Sequence, residues 1–83
     1  MTWVYLLRSD RDPHRTYVGL TDDVPSRLEA HNTGRDGSNH FTSAWRPWRL
    51  VATIGFEDPA RASAFERYLK SGSGHAFARR HLC

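Results

Sequence analysis

Two short runs of β-branched and aromatic residues near the N-terminus, joined by a polar turn, limit what this chain can build. Thr2-Trp-Val-Tyr-Leu-Leu-Arg8 has apolar side chains at successive positions, so it reads as a strand that is apolar on both faces. Thr16-Tyr-Val-Gly-Leu-Thr21 is a second strand, and Ser9 to His14 between them is polar with a proline, a loop or wide hairpin turn. So short a connection favours antiparallel pairing, because a parallel partner needs a crossover of about a dozen residues or more. Gly19 interrupts the second run. A mid-strand glycine weakens a strand and marks either a bulge or a close approach of something to the backbone.

The remaining elements follow from caps and periodicity. Asp22 or Asp23 caps a helix with Pro25 in its first turn, Val24, Leu28 and Ala30 facing inward, and an end near Asn32-Thr33-Gly34. Arg35 to Pro47 is polar and contains glycine, and reads as an ordered surface loop. Trp48 to Phe56 is a third strand. Asp58-Pro59 opens a second helix, with Ala62, Phe65, Tyr68 and Leu69 at helical spacing toward the core. Ser71-Gly-Ser-Gly74 breaks it, and His75 to Leu82 reads as a short terminal helix. The class is α+β, in the order β-β-α-β-α(-α), with a three-stranded, mainly antiparallel sheet flanked by helices. At 83 residues the chain makes one domain, 1–83, since it cannot divide its apolar surface between two cores. Three Trp, three Tyr and four Phe supply much of the burial so small a domain needs.

Several function classes drop out. No apolar run approaches the ~20 residues that span a bilayer, and Met1 leads straight into a strand without a signal-peptide pattern. The single cysteine, Cys83, can form no internal disulfide and lacks the spaced partners of a zinc site. The expectation is a cytoplasmic, reduced protein with no membrane partner. Net charge is +3 and every cation but Lys70 is an arginine. Guanidinium grips phosphate through a planar fork, so this balance leans mildly toward nucleic acid.

Some polar groups are not needed by the core pattern. Arg27 and His31, four apart, share one face of the first helix, with Leu28 turned toward the core. Glu66 and Lys70 repeat that spacing on the second helix. Tyr5 and Tyr17 lie in the paired strands, and each hydroxyl needs a partner if buried. A phosphodiester hydrolase needs an activated water, a cation against the charge of the phosphate, and help for the leaving oxygen. A carboxylate holding Mg²⁺, an arginine and a tyrosine or histidine supply those parts. The bland readings stand beside this one. Glu66 and Lys70 make an ordinary helix ion pair, Arg27 and His31 decorate a surface, both tyrosines fill the core, and His14, His75 and His81 belong to no site. Residue types alone permit the chemistry without selecting it.

The arrangement Trp3-Val4-Tyr5, Tyr17-Val18-Gly19, Arg27, His31 and Glu66, in that order, resembles the GIY-YIG nuclease family, whose name-giving tripeptides stand here as WVY and YVG. The likeness runs from Thr2 to Leu69. The stretch from Tyr17 to Asn32, with Arg46-Pro47-Trp48, looks most like the small stand-alone bacterial members and the catalytic subunit of the eukaryotic structure-selective endonuclease. The resemblance implies that Tyr5 and Tyr17 line the site, one of them positioning or deprotonating the attacking water, with Gly19 letting the backbone lie close beside them. It implies that Arg27 contacts the scissile phosphate, that His31 assists proton transfer or phosphate binding, and that Glu66 ligates a single divalent cation, Mg²⁺ or Mn²⁺. His40 stands before the third strand, where some relatives carry a further histidine. With Gly19, Arg27 and Lys70 it completes the residues expected to meet DNA.

Two departures separate this chain from the family pattern. Many members carry a supporting asparagine after the glutamate helix. Here Asn32 and Asn39 both precede Glu66, so Lys70 or His75 would have to take its place. The expectation is also that no accessory DNA-binding module accompanies this domain. The implied activity is metal-dependent DNA endonuclease cleavage, directed at branched or damaged structures and leaving 5′-phosphate and 3′-hydroxyl ends. The departures keep two alternatives open: a non-catalytic nucleic-acid-binding module of the same fold, and a catalytic subunit that needs a protein partner, for which the loop around Phe41, Trp45 and Trp48 offers an aromatic patch, with core packing the favoured role for Trp48.

Overall fold

The computed structural model describes residues 1–33 and 45–82, and in it the first apolar run becomes the middle of a sheet. Strands β1 (Thr2–Ser9), β2 (Thr16–Thr21) and β3 (Trp48–Phe56) lie in the order β2-β1-β3, and β1 is antiparallel to both neighbours. Alternation along β1 sends Val4 and Leu6 to one face and Tyr5 and Leu7 to the other, and all four are buried. A strand that reads apolar without alternation is what a sheet covered on both sides requires.

Both covers are helical. Helix α1 (Val24–Thr33) sets Val24 and Leu28 against the Tyr5, Leu7 and Trp48 face. Helices α2 (Pro59–Leu69) and α3 (Gly72–His81) cover the other face, where Ala62, Leu69 and Ala78 meet Val4 and Leu6. Each helix starts where its sequence supplies an acceptor for an unpaired backbone amide. Ser26 N–H donates to Asp23 Oδ1 at 3.2 Å, so Asp23 rather than Asp22 caps α1. Ala60 N–H donates to Asp58 Oδ1 at 2.9 Å, with Pro59 in the first turn of α2. Among the described residues no helix is long and apolar enough to cross a membrane.

Three expectations change. The last helix begins at Gly72 rather than His75, because Ser71 caps it by accepting from Gly74 N–H at 3.2 Å. The glycines of Ser71–Gly74 therefore allow close packing as well as a break: a Cβ on Gly74 would lie 2.5 Å from the Tyr68 carbonyl carbon and 2.6 Å from Leu69 Cα. Tyr68 itself does not enter the core. It is 40% exposed, with its ring 5.9 Å from that of Phe77, because Leu69 takes the inward position and leaves residue 68 on the flank toward α3. The aromatic patch is not an open surface at its described residues. Trp48 is buried in the core, and Trp45 packs against that cluster with the Arg15 guanidinium 4.5 Å from its ring centre. Phe41 and the rest of 34–44, Gly34 and His40 included, lie outside the described residues, as does Cys83.

Asn32 ties the two sides of residues 34–44 together. Trp48 N–H donates to its Oδ1 at 2.5 Å and its Nδ2 donates to the Trp48 carbonyl at 3.0 Å, so the end of α1 is clamped to the start of β3. Replacing Asn32 by alanine leaves both Trp48 backbone groups without these bonds and should cost about 2 kcal/mol. Gly74→Ala should cost about as much by overpacking. Chemical denaturation checks both, with a lowered midpoint at unchanged slope as the expected result.

Candidate active site

The β1–β2 register builds the centre of the site. Tyr5 stands opposite Gly19 and Leu7 opposite Tyr17, so the two tyrosines fall on the same face, the one that α1 covers. Gly19 keeps its register, and the irregularity in this sheet lies between Leu6 and Leu7 against β3. Its glycine is needed for space: a Cβ there would lie 2.6 Å from Tyr5 Cζ and would also collide with Tyr5 Oη. Of the two readings of Gly19, close approach holds and the bulge does not.

With its ring over Gly19, Tyr5 is only 2% exposed, and a hydroxyl so deep must find a hydrogen bond. It finds His31, whose Nε2 is 2.9 Å from Tyr5 Oη. His31 is itself 2% exposed, so it is no surface decoration. Its imidazole lies 4.8 Å from the Tyr17 ring centre and 5.9 Å from that of Tyr5, and the two tyrosine rings are 6.2 Å apart. Trp48 closes the cluster at 6.4 Å from Tyr17. Two tyrosines and one imidazole thus converge in an apolar setting, where each hydrogen bond is stronger than in water.

The other expected residues sit on the margins. Arg27 is exposed, one helical turn before His31 on the same side of α1. Glu66 rises from α2, the helix on the opposite face, with 18% of its side chain exposed, and accepts from Lys70 Nζ at 3.0 Å. Lys70 and Tyr17 line one open groove of about 750 Å³. The structure therefore joins Tyr5, Tyr17 and His31 by direct contact, while Glu66 stands on α2, paired with Lys70 and outside that cluster.

Among the described residues no three His, Cys, Asp or Glu side chains gather as a metal cage. The donor set fits a hard cation that takes one carboxylate and keeps most of its waters, which is the habit of Mg²⁺ and Mn²⁺. Glu66, mostly buried and paired with a single ammonium, is a carboxylate that could hold such a cation.

Two positioning residues escape a reading by motif. Asn32 is one, and Ser9 the other. Fully buried, Ser9 donates to the Trp45 carbonyl at 2.5 Å and accepts from Arg11 N–H and Asp12 N–H at 3.0 and 3.1 Å. It folds the hairpin turn and fastens it to the segment before β3. A serine opening the polar stretch Ser-Asp-Arg-Asp carried the signal, since short hydroxyl side chains bond local backbone amides.

Gly19→Ala should push the Tyr5 ring off its seat, lower stability by about 1–3 kcal/mol, and shift the His31 imidazole resonances in an NMR spectrum. Tyr5→Phe should shift the same resonances at a cost of about 1 kcal/mol. Unmoved His31 signals in both variants would contradict the contact.

Known proteins resemble this chain in sequence and in fold. The family model described as the GIY-YIG catalytic domain matches residues 1–78. The structure-specific endonuclease subunit SLX1 of Candida dubliniensis is 37% identical over 90 residues, covering 95% of this chain and 28% of that protein. The same subunit of Talaromyces stipitatus is 42% identical over 65 residues, covering 75% of this chain and 17% of that protein. This chain thus spans well under a third of the length of these curated relatives. The solution NMR structure of the UPF0213 protein BH0048 from Bacillus halodurans superposes with a TM-score of 0.55 at 32% identity, covering 95% of this chain and 81% of that one.

Proposed function

The chain belongs to the GIY-YIG family, and on that premise we propose that it is a divalent-metal-dependent DNA endonuclease leaving 5′-phosphate and 3′-hydroxyl ends. The observation that carries the reading is the buried Tyr5–His31 hydrogen bond with Tyr17 packed upon it, beside a groove that Lys70 and Tyr17 share.

In this reading the half-buried Tyr17 is the ring that meets the attacking water, and its hydroxyl holds that water in line with the phosphorus. Tyr5 is too deep to reach solvent. Paired with His31, it keeps the polar ends of the cluster aligned and fixes the imidazole against the Tyr17 ring. Arg27, exposed one turn along α1, clamps the non-bridging oxygens of the scissile phosphate. Glu66 would hold a divalent cation, which when bound would supply charge neutralisation at the phosphate. Lys70, which balances Glu66 in the protein alone, also lines the groove, where it would meet a neighbouring phosphate. Gly19 admits the strand close to β2, and His40 adds a further contact to it.

The relatives are named as subunits of a structure-specific endonuclease. That supports structured DNA, branched or damaged, as the substrate and a protein partner as the source of specificity. The ion pair occupying Glu66 favours the second reading, a DNA-binding module with no turnover.

One experiment separates the two. The purified chain should nick DNA with Mg²⁺ or Mn²⁺. Glu66→Gln should reduce cutting to the metal-free background with thermal unfolding unchanged, and Arg27→Ala should lower the rate by roughly 100-fold. Cutting unaffected by Glu66→Gln would sink the endonuclease assignment. Salt-sensitive DNA binding with no turnover in any divalent metal would establish the binding module instead.

A further inference from the structure

The groove beside the β1–β2 hairpin holds more positive charge than the cleavage centre uses. Arg8 comes from β1, His14 from the hairpin turn, Lys70 from the end of α2, and His75 and Arg79, one turn apart, from α3; Tyr17 borders them. These side chains from four separate segments converge on one concavity of about 750 Å³, with no carboxylate in its lining. Of the three permanent cations only Lys70 has an acidic partner; among the described residues neither Arg8 nor Arg79 is in an ion pair. The Nε of Arg8 is buried and has no hydrogen-bond acceptor among the described residues.

Each of these facts taken singly has a bland reading in a basic protein. Together they do not, because converging guanidinium and ammonium groups repel one another, and a guanidinium donor withdrawn from water without an acceptor costs stability. An anion in the groove removes both costs. Its shape selects the anion. A single small oxyanion would leave most of so large and open a groove empty, whereas a phosphodiester chain entering past Tyr17 fills it along its length.

We propose that this groove is a second phosphate subsite, which seats the backbone of the DNA strand beside the scissile bond. Arg8 and Arg79 make the charge-assisted contacts, and His14 and His75 each offer a ring N–H. The identity of the strand rests on the nuclease reading above; the anion site itself rests on the lining of the groove. The strand therefore runs from the Tyr17 centre across the edge of β2 onto the α2–α3 face.

The test measures binding of the whole chain to a fluorescent DNA duplex bearing a single-stranded flap, without divalent metal, across a salt series. Arg79→Gln alters an exposed side chain and leaves the core alone, Arg8→Gln removes the buried donor, and Arg61→Gln, outside the groove lining, serves as control. Each groove variant should lower the slope of log affinity against log salt by about one, as losing one phosphate contact does, with Arg61→Gln unchanged. Equal slopes for wild type and Arg79→Gln overturn the proposal. So does displacement of the DNA by polyglutamate as readily as by unlabelled DNA, which would mark the groove as a seat for an acidic protein segment. A failure of the nuclease reading looks different: no cutting with Mg²⁺ or Mn²⁺, while the groove variants still bind with reduced slope.

Discussion

Burial of β1 on both faces is the constraint from which the rest of this structure follows. Every residue from Val4 to Leu7 is withdrawn from water, so the strand must lie between two neighbours and beneath two helical layers. Odd positions go to α1 and even positions to α2 and α3. In so small a domain this one strand supplies apolar surface to the packing on both faces of the sheet, and a polar substitution at any of these four positions would face a helix rather than solvent.

The same alternation divides the chemistry. Tyr5 is held on the α1 side, where its hydroxyl would be an orphan without His31, and so a polar contact between a strand and a helix becomes part of the core. Buried hydrogen-bonded pairs of this kind resist rearrangement, since breaking one strands two groups at once. Glu66 and Lys70 rise from the other layer. The open edge strand β2 is where the two layers meet, and Tyr17 on that strand belongs both to the ring cluster and to the cationic groove. In the proposed binding mode a strand of nucleic acid over that edge would touch both sides of the sheet without the fold having to open.

Much of the architecture was legible from local rules. The two apolar runs, the Asp58-Pro59 start and the polar turn each rest on interactions within a few residues, and they locate strands and helices closely. Family order picked out Tyr5, Tyr17, Arg27, His31 and Glu66 as the residues to examine. It could not say that His31 is a core residue, because a histidine four places from an arginine reads equally well as a surface pair. Tyr68 went the other way: its spacing fits the inward row of α2, yet α3 packs beside that helix and leaves the ring on the flank. The glycines after α2 look like a break by composition, and their packing use appears only once the Tyr68 carbonyl is seen above Gly74.

What the amino-acid sequence determined by itself, then, is the set of elements, their antiparallel pairing and the family to which the chain belongs, since each is written in short-range periodicity, caps and motif order. What only the tertiary structure decided is which side chains meet. The Tyr5–His31 bond joins residues 26 positions apart and the Asn32–Trp48 clamp residues 16 apart. The groove gathers cations from β1, the hairpin and both helices of the far layer. The two tyrosine motifs fixed where the rings could stand, and the packing of α1 over them decided what they touch. Contacts of that kind depend on how helices settle on a twisted sheet, a sum over the whole domain that no local window of sequence contains.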